Sequence, residues 1–266
     1  MAAKKISAES ILSDPDAQKR PGLIMGLLET RAFWECGAYF ATLPFHRFMP
    51  MGDAHPVMVL PGFASNDGAT VLLRNFLKKL GYQTYSWNAG FNMGHKPGLF
   101  KHLHNRIDTI QGKYGRKVSL VGWSLGGIMS RKLAFQRPEM IRSVITLGSP
   151  FYGANNSTNI SALLEFTAKL RKREVLKDPE PVTPWLNEPA IPVPFSSLYS
   201  RTDGVVTWKT CLEADYPLRE NIHVPSSHMA FGFNPLSLYV IADRLAQPEG
   251  EFTPFTPGPL LDLLLR

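Results

Sequence analysis

At 266 residues, with 44% apolar and 19% charged side chains, the chain has enough apolar mass for one large core and too little charge for a disordered polymer. Its 29 Lys and Arg against 22 Asp and Glu give a net charge of +7, but the basic residues are dispersed, the densest group being "KLRKRE" at 169–174. No stripe suited to a phosphate backbone is present, which argues against a nucleic-acid partner.

In chain order, residues 1–21 read as a polar arm without the apolar core of a signal peptide, so the expected location is cytoplasmic. Cys36 and Cys211 lie far apart without metal-ligand spacing; they read as free thiols of a reducing compartment, with one disulfide as the alternative. Residues 22–43 read as an amphipathic helix stopped by Pro44, and Glu29, Arg31 and Glu35 interrupt it short of the roughly 20 apolar residues that a membrane span needs. Its apolar face is expected to pack on the main core; a peripheral lipid-surface contact or a dimer contact is the alternative. Residues 1–50 thus form an N-terminal arm and helix, and 51–266 the main domain.

That domain opens with "VMVLPGF", an apolar strand feeding a loop, followed by the helical pattern "DGATVLLRNFLKKLG" with Gly81 as its stop. "YQTYSWN" reads as a strand, "GLFKHLHNRIDTIQGKYG" as a helix, "KVSLVGW" as a strand, "LGGIMSRKLAFQR" as a helix halted by Pro138, and "IRSVITLGSP" as a strand. Alternation of buried strands with helices predicts a mostly parallel central sheet covered by helices on both faces, with ligands gathering at the carboxyl ends of the strands. Residues at about 151–194 break the rhythm with a helical stretch and a proline-rich one, and read as a lid-like insertion over those strand ends. Strands "FSSLYS" and "ENIHVP", a helix around "PLSLYVIADRLA" and a tail whose apolar end docks on the body complete the chain.

Within this frame "VSLVGWSLGG" places Ser124 between Gly122 and Gly126, after a strand and before a helix, the context that gives a Gly-x-Ser-x-Gly pattern its weight. A serine hydroxyl is protonated at neutral pH, so it needs a histidine as base and a carboxylate to orient that base. Asp203 follows the strand "FSSLYS" and precedes Gly204, whereas the nearest rival, Asp215, has no comparable strand before it. Of the two histidines beyond Asp203, His223 lies inside a strand and His228 in the loop "PSSHMAFGFNP" just past it, so His228 is the stronger candidate. His102 and His104, two apart on a helix, point to different faces and do not suit a metal. The N–H of Leu125, and that of Phe63 after the glycine of "LPGF", are the candidate oxyanion donors.

"VMVLPGF", "VSLVGWSLGG", "VITLGSPFYG", "LYSRTDGVV" and "SSHMAFGFNP", in this order over about 55–243, resemble the α/β-hydrolase fold and in particular its lipase and esterase branch. The resemblance implies Ser124 as nucleophile, His228 as base, Asp203 as its orienting acid, and Phe63 and Leu125 as oxyanion donors. Two positions depart from it: "LPGF" stands where many lipases have His-Gly, and Trp123 stands where many carry His, a side chain that packs beneath the elbow. The expectation is a serine carboxylic-ester hydrolase of lipid metabolism that needs no metal or organic cofactor. Leu163, Leu164, Phe166, Leu170 and Trp185 in the insertion favour esters of apolar acyl chains. An acyltransferase using the same acyl-enzyme and a non-catalytic hydrolase-like binding protein are the alternatives.

Overall fold

The computed structural model describes residues 6–17, 19–94, 96–152 and 191–265. Among these, strands β1 (Pro56–Leu60), β2 (Gln83–Ser86), β3 (Val118–Trp123), β4 (Ile141–Leu147), β5 (Phe195–Tyr199) and β6 (Arg219–His223) form one sheet in the order β2-β1-β3-β4-β5-β6. Every pairing is parallel. A strand buried on both faces has no polar side to show, which is why β1 reads "PVMVL" without alternation.

Its side chains do alternate between two cores. Val57 and Val59 join the face covered by helices at Val71–Lys79 and Pro235–Leu245, through Leu73, Phe76, Leu238 and Ile241. Met58 and Leu60 join the opposite face, covered by helices at Leu99–Tyr114 and Leu125–Gln136 through Leu103, Ile107, Met129 and Leu133. Each fully buried aliphatic side chain contributes about 1.5–3 kcal/mol, so these two layers hold the helices on the sheet.

From β1 the chain moves outward to β2 and then returns to β3 on the other side of β1. The crevice between β1 and β3 is therefore the point where the strand order reverses, the place at which open parallel sheets bind ligands. Register brings the carboxyl ends level: Leu60 lies opposite Gly122, Trp123 opposite Leu147, Leu147 opposite Leu198, and Tyr199 opposite His223.

Two expectations change here. The predicted helix over 22–43 is not continuous: Leu23–Leu28 and Ala32–Thr42 are α-helical, and Glu29–Arg31 between them is a 3-10 turn. The Thr30 hydroxyl donates back to the Leu27 carbonyl at 2.8 Å. Nor does most of the apolar face pack on the core. Tyr39 is buried and Leu43 packs beside it, but Leu23 is 90% exposed, Phe33 82% and Trp34 83%. The polar side of this segment is what faces the body, because buried backbone donors there require its carboxylates.

The arm before it carries a short helix, Ala8–Leu12, which seats Ile11 against Leu212 and Tyr152. At the other end Leu265 of the terminal helix Pro259–Leu265 is buried and its carbonyl lies 2.6 Å from His223 Nδ1, so the tail docks as expected. Most of the predicted insertion, with "KLRKRE" and its apolar residues, lies outside the described residues. Among the described residues no helix is long and apolar enough to cross a membrane.

Candidate active site

Ser124 sits between the end of β3 and the start of the helix Leu125–Gln136 with φ 53° and ψ −120°, a conformation that non-glycine residues rarely adopt. The glycines around it are required by close packing. A Cβ on Gly126 would lie 2.4 Å from the Leu60 carbonyl oxygen, and one on Gly122 would lie 2.4 Å from the Gly127 Cα. The Ser124 N–H donates to the Leu147 carbonyl at 2.8 Å, and its own carbonyl accepts from Gly127 at 2.9 Å, so the strained turn is held at both ends.

Leu125 is the first residue of a 12-residue helix, where backbone N–H groups have no intrahelical acceptor and the helix dipole favours negative charge. The loop after β1 approaches from the other side: Gly62 packs against Ser124, a Cβ on it lying 3.4 Å from the serine Cβ. This loop is held in shape by Asn92, a fully buried residue. Its Nδ2 donates to the Pro61 carbonyl at 2.8 Å, its N–H donates to the Ser65 carbonyl at 2.7 Å, and its carbonyl accepts from Ala64 at 2.8 Å. These bonds place Phe63, half-buried, beside the elbow.

Asp203 and His228 meet over the end of β4. His228 Nδ1 lies 2.7 Å from Asp203 Oδ2, and both side chains are buried. The other Asp203 oxygen accepts from the N–H groups of Val205 and Val206, each at 2.8 Å, so the carboxylate is oriented before it meets the imidazole. Burial penalises the charged form of His228, but the charge and hydrogen bond of Asp203, helped by the charge of Glu29, outweigh it and raise the imidazole above its ordinary pKa. Gly148, at φ 54°, lies against this pair: a Cβ there would sit 3.1 Å from His228 Nδ1 and 3.2 Å from Asp203 Oδ2.

Trp123 ties the histidine loop to the elbow. Its indole N–H donates to the His228 carbonyl at 3.0 Å and its ring centroid lies 6.2 Å from the imidazole's. The residue before the candidate nucleophile thus bonds to the histidine loop.

The rival residues have other engagements. His223 faces the Leu265 carbonyl, and Asp215 pairs with Ile6, accepting its N–H at 2.8 Å. His104 Nε2 lies 3.0 Å from Gln136 Oε1, and among the described residues no group of His, Cys, Asp and Glu could hold a metal ion. A second serine, histidine and aspartate set does occur, at the opposite end of the sheet. His55 Nδ1 lies 2.5 Å from Asp53 Oδ1 and its Nε2 lies 2.8 Å from Ser119 Oγ. Here His55 and Ser119 are fully buried, Asp53 is bound by Arg116 and Arg142, and burial holds His55 down at about 4. That set is an internal brace for the amino ends of β1 and β3.

No protein-family model matches the chain. A curated relative, the pimeloyl-[acyl-carrier protein] methyl ester esterase of Shewanella woodyi, is 27% identical over 100 residues. That match spans 37% of this chain and only 38% of the relative's length. Among solved structures, Aspergillus fumigatus lipase B is similar at a TM-score of 0.53 and 18% identity, over 79% of this chain and 56% of that one. A Paleococcus ferrophilus monoacylglycerol lipase gives a TM-score of 0.53 at 15% identity, over 74% of this chain and 96% of its own. The fold is that of the α/β-hydrolases. Ser124 follows β3, Asp203 follows β5 and His228 follows β6, with Phe63 in the loop after β1.

Proposed function

We propose that this chain is a serine carboxylic-ester hydrolase of the esterase and lipase kind. The observation that carries the reading is the 2.7 Å contact of two buried groups, His228 and Asp203, with the His228 loop bonded through Trp123 to the turn that holds Ser124 at positive φ at a helix start. In this reading Asp203 holds the His228 Nδ1 proton, which leaves the Nε2 lone pair to accept the Ser124 proton as Oγ attacks the ester carbonyl. The oxyanion is taken up by the N–H groups of Leu125 and Phe63. Collapse breaks the carbon–alkoxide bond, and His228 returns the proton to the leaving alcohol. Water then gives a proton to His228 and attacks the acyl-enzyme. The second collapse releases the acid and restores the Ser124 hydroxyl.

Apolar acyl esters are the proposed substrates. Phe63 stands half-buried beside the elbow, Met229 is exposed directly after His228, and the names of the similar proteins, a methyl ester esterase and lipases, describe this class of reaction. Turnover of p-nitrophenyl esters from acetate to palmitate tests it. Ser124→Ala is expected to lower turnover by about 10⁴-fold or more, and undiminished turnover would refute the assignment. A fluorophosphonate probe that labels Ser124 without ester turnover would favour an acyltransferase, as would ester exchange with an added alcohol; failure to label would favour a binding protein.

A peripheral lipid contact is proposed for residues 22–43, with the chain otherwise in the cytoplasm. Exposed Leu23, Ile24, Leu27, Phe33 and Trp34 project from the segment, and the net charge of +7 suits an anionic surface. Co-sedimentation with phosphatidylglycerol vesicles should persist in high salt and weaken in Phe33→Ser and Trp34→Ser; no loss in those variants would refute it.

A further inference from the structure

The loops that carry Asp203 and His228 start from the paired ends of β5 and β6, where Tyr199 lies opposite His223, and meet again only where the two side chains touch. Between those points a carboxylate from the N-terminal segment ties their backbones together. Glu29 Oε1 accepts from the Gly204 N–H at 2.8 Å and from the His228 N–H at 2.9 Å, while Oε2 accepts from the Met229 N–H at 3.1 Å. One side chain thus binds the residue after the candidate acid, the candidate base itself and the residue after that base.

The surrounding contacts aim it there. A Cβ on Gly204 would lie 2.1 Å from the Met25 carbonyl oxygen, so the helix Leu23–Leu28 is packed directly on the acid loop and only glycine fits beneath it. Arg31 Nη2 donates to the Thr202 carbonyl at 3.1 Å and to its hydroxyl at 2.7 Å, fixing the same loop two residues earlier. Glu35 accepts from the Ser227 N–H at 3.1 Å, the Ser227 hydroxyl and Asn234 Nδ2, fixing the histidine loop one residue earlier. The 3-10 turn at Glu29–Arg31 is what lets both Glu29 and Arg31 face the acid loop.

We propose that Glu29 is a positioning residue of the ester-hydrolysing site, its carboxylate holding the Asp203 and His228 loops in one frame and adding a fixed negative charge beside the imidazole. The proposal rests on the function given above. Bonds from N–H groups to a carboxylate are roughly twice as strong as neutral ones, and a misplacement of about 1 Å in a catalytic group can cost about 100-fold in rate. The charged groups near His228 are Asp203 on the acid loop and Glu29, Arg31 and Glu35 on the N-terminal segment; Arg31 lies 3.9 Å from Glu35, so that pair largely cancels and Glu29 remains.

Glu29→Gln keeps the shape but removes the charge and turns one acceptor into a donor facing N–H groups. It is expected to lower kcat by about 10- to 100-fold with KM changed less than about twofold, and to move the acid limb of the pH profile to lower pH. Glu29→Asp keeps the charge but shortens the reach; it should lose kcat while leaving that limb in place. The downfield NMR resonance of the His228 Nδ1 proton reads the same titration without turnover, and it should follow the acid limb downward in Glu29→Gln. If that resonance titrates as in the wild-type chain, or if Glu29→Asp keeps wild-type kcat, the proposal is overturned. A wild-type chain that shows the resonance but hydrolyses no ester overturns the function instead.

Discussion

Gly148→Ala is the substitution whose effect is most fully determined by the geometry. At φ 54° an alanine pays the left-handed penalty, about 1–2 kcal/mol. Its Cβ would also meet Phe231 Cε2 at 2.8 Å, too close without a shift, and overpacking of this kind costs about 1–3 kcal/mol. The sum, about 2–5 kcal/mol, is a large part of the roughly 5–15 kcal/mol that holds a domain of this kind together, yet leaves it folded at low temperature. Activity should suffer separately, because the methyl lies 3.1 Å from His228 Nδ1 and 3.2 Å from Asp203 Oδ2 and pushes on the bond between them. A displacement of a few tenths of an ångström there predicts a loss of about 10-fold or more in kcat. Urea unfolding gives the first quantity and p-nitrophenyl ester turnover the second. Gly115→Ala is the matched control: φ is 63°, but nothing lies within 4 Å of its Cβ, so it should cost only the left-handed penalty of about 1–2 kcal/mol and leave turnover unchanged. If Gly148→Ala behaves like Gly115→Ala, the packing of Gly148 against the candidate pair is refuted as a determinant of activity.

The pH profile of kcat/KM should rise with pH with its midpoint above the ordinary histidine value of 6.5, because His228 must be neutral to act as a base and its pKa is raised; an acid limb centred below 6.5 would count against it. Stability should depend on pH through His55, held down at about 4 by burial in the folded chain but titrating near 6.5 when unfolded. The unfolded chain takes up the proton first, so about 3 kcal/mol is lost as pH falls from about 6.5 to 4, and urea midpoints of His55→Gln should fall less than those of the wild-type chain across that window. Glu213→Ala removes the carboxylate that the buried guanidiniums of Arg131 and Arg219 share and should cost about 3–5 kcal/mol in the same assay.

The strands and the elbow were legible because local pattern decides them: continuous apolar runs, helical spacing, and glycines where backbones touch. His228 could be separated from His223 because a loop residue past a strand end reaches the crevice, whereas a strand residue is committed to its neighbours, here the Leu265 carbonyl. Glu29 could not be read in this way. In the sequence it interrupts an apolar run, and the donors it satisfies lie 175 to 200 residues away in the chain. The outward turn of Leu23, Phe33 and Trp34 has the same cause: periodicity marks an apolar face but not which face a buried N–H will claim. Asn92 was equally hidden, since lacing a loop through backbone groups leaves no spacing signature.

The brace of Asp53, His55 and Ser119 bears on how hydrolases are recognised at all. A template search that asks for carboxylate, imidazole and hydroxyl within hydrogen-bonding range would select it, since both links, 2.5 and 2.8 Å, are closed. It differs in that its histidine and serine are fully buried, its serine also contacts Ser143 at 3.0 Å and its aspartate is shared by two arginines. What separates an engine from a strut built of the same parts is an open valence at the nucleophile and a place for the charge that the reaction creates.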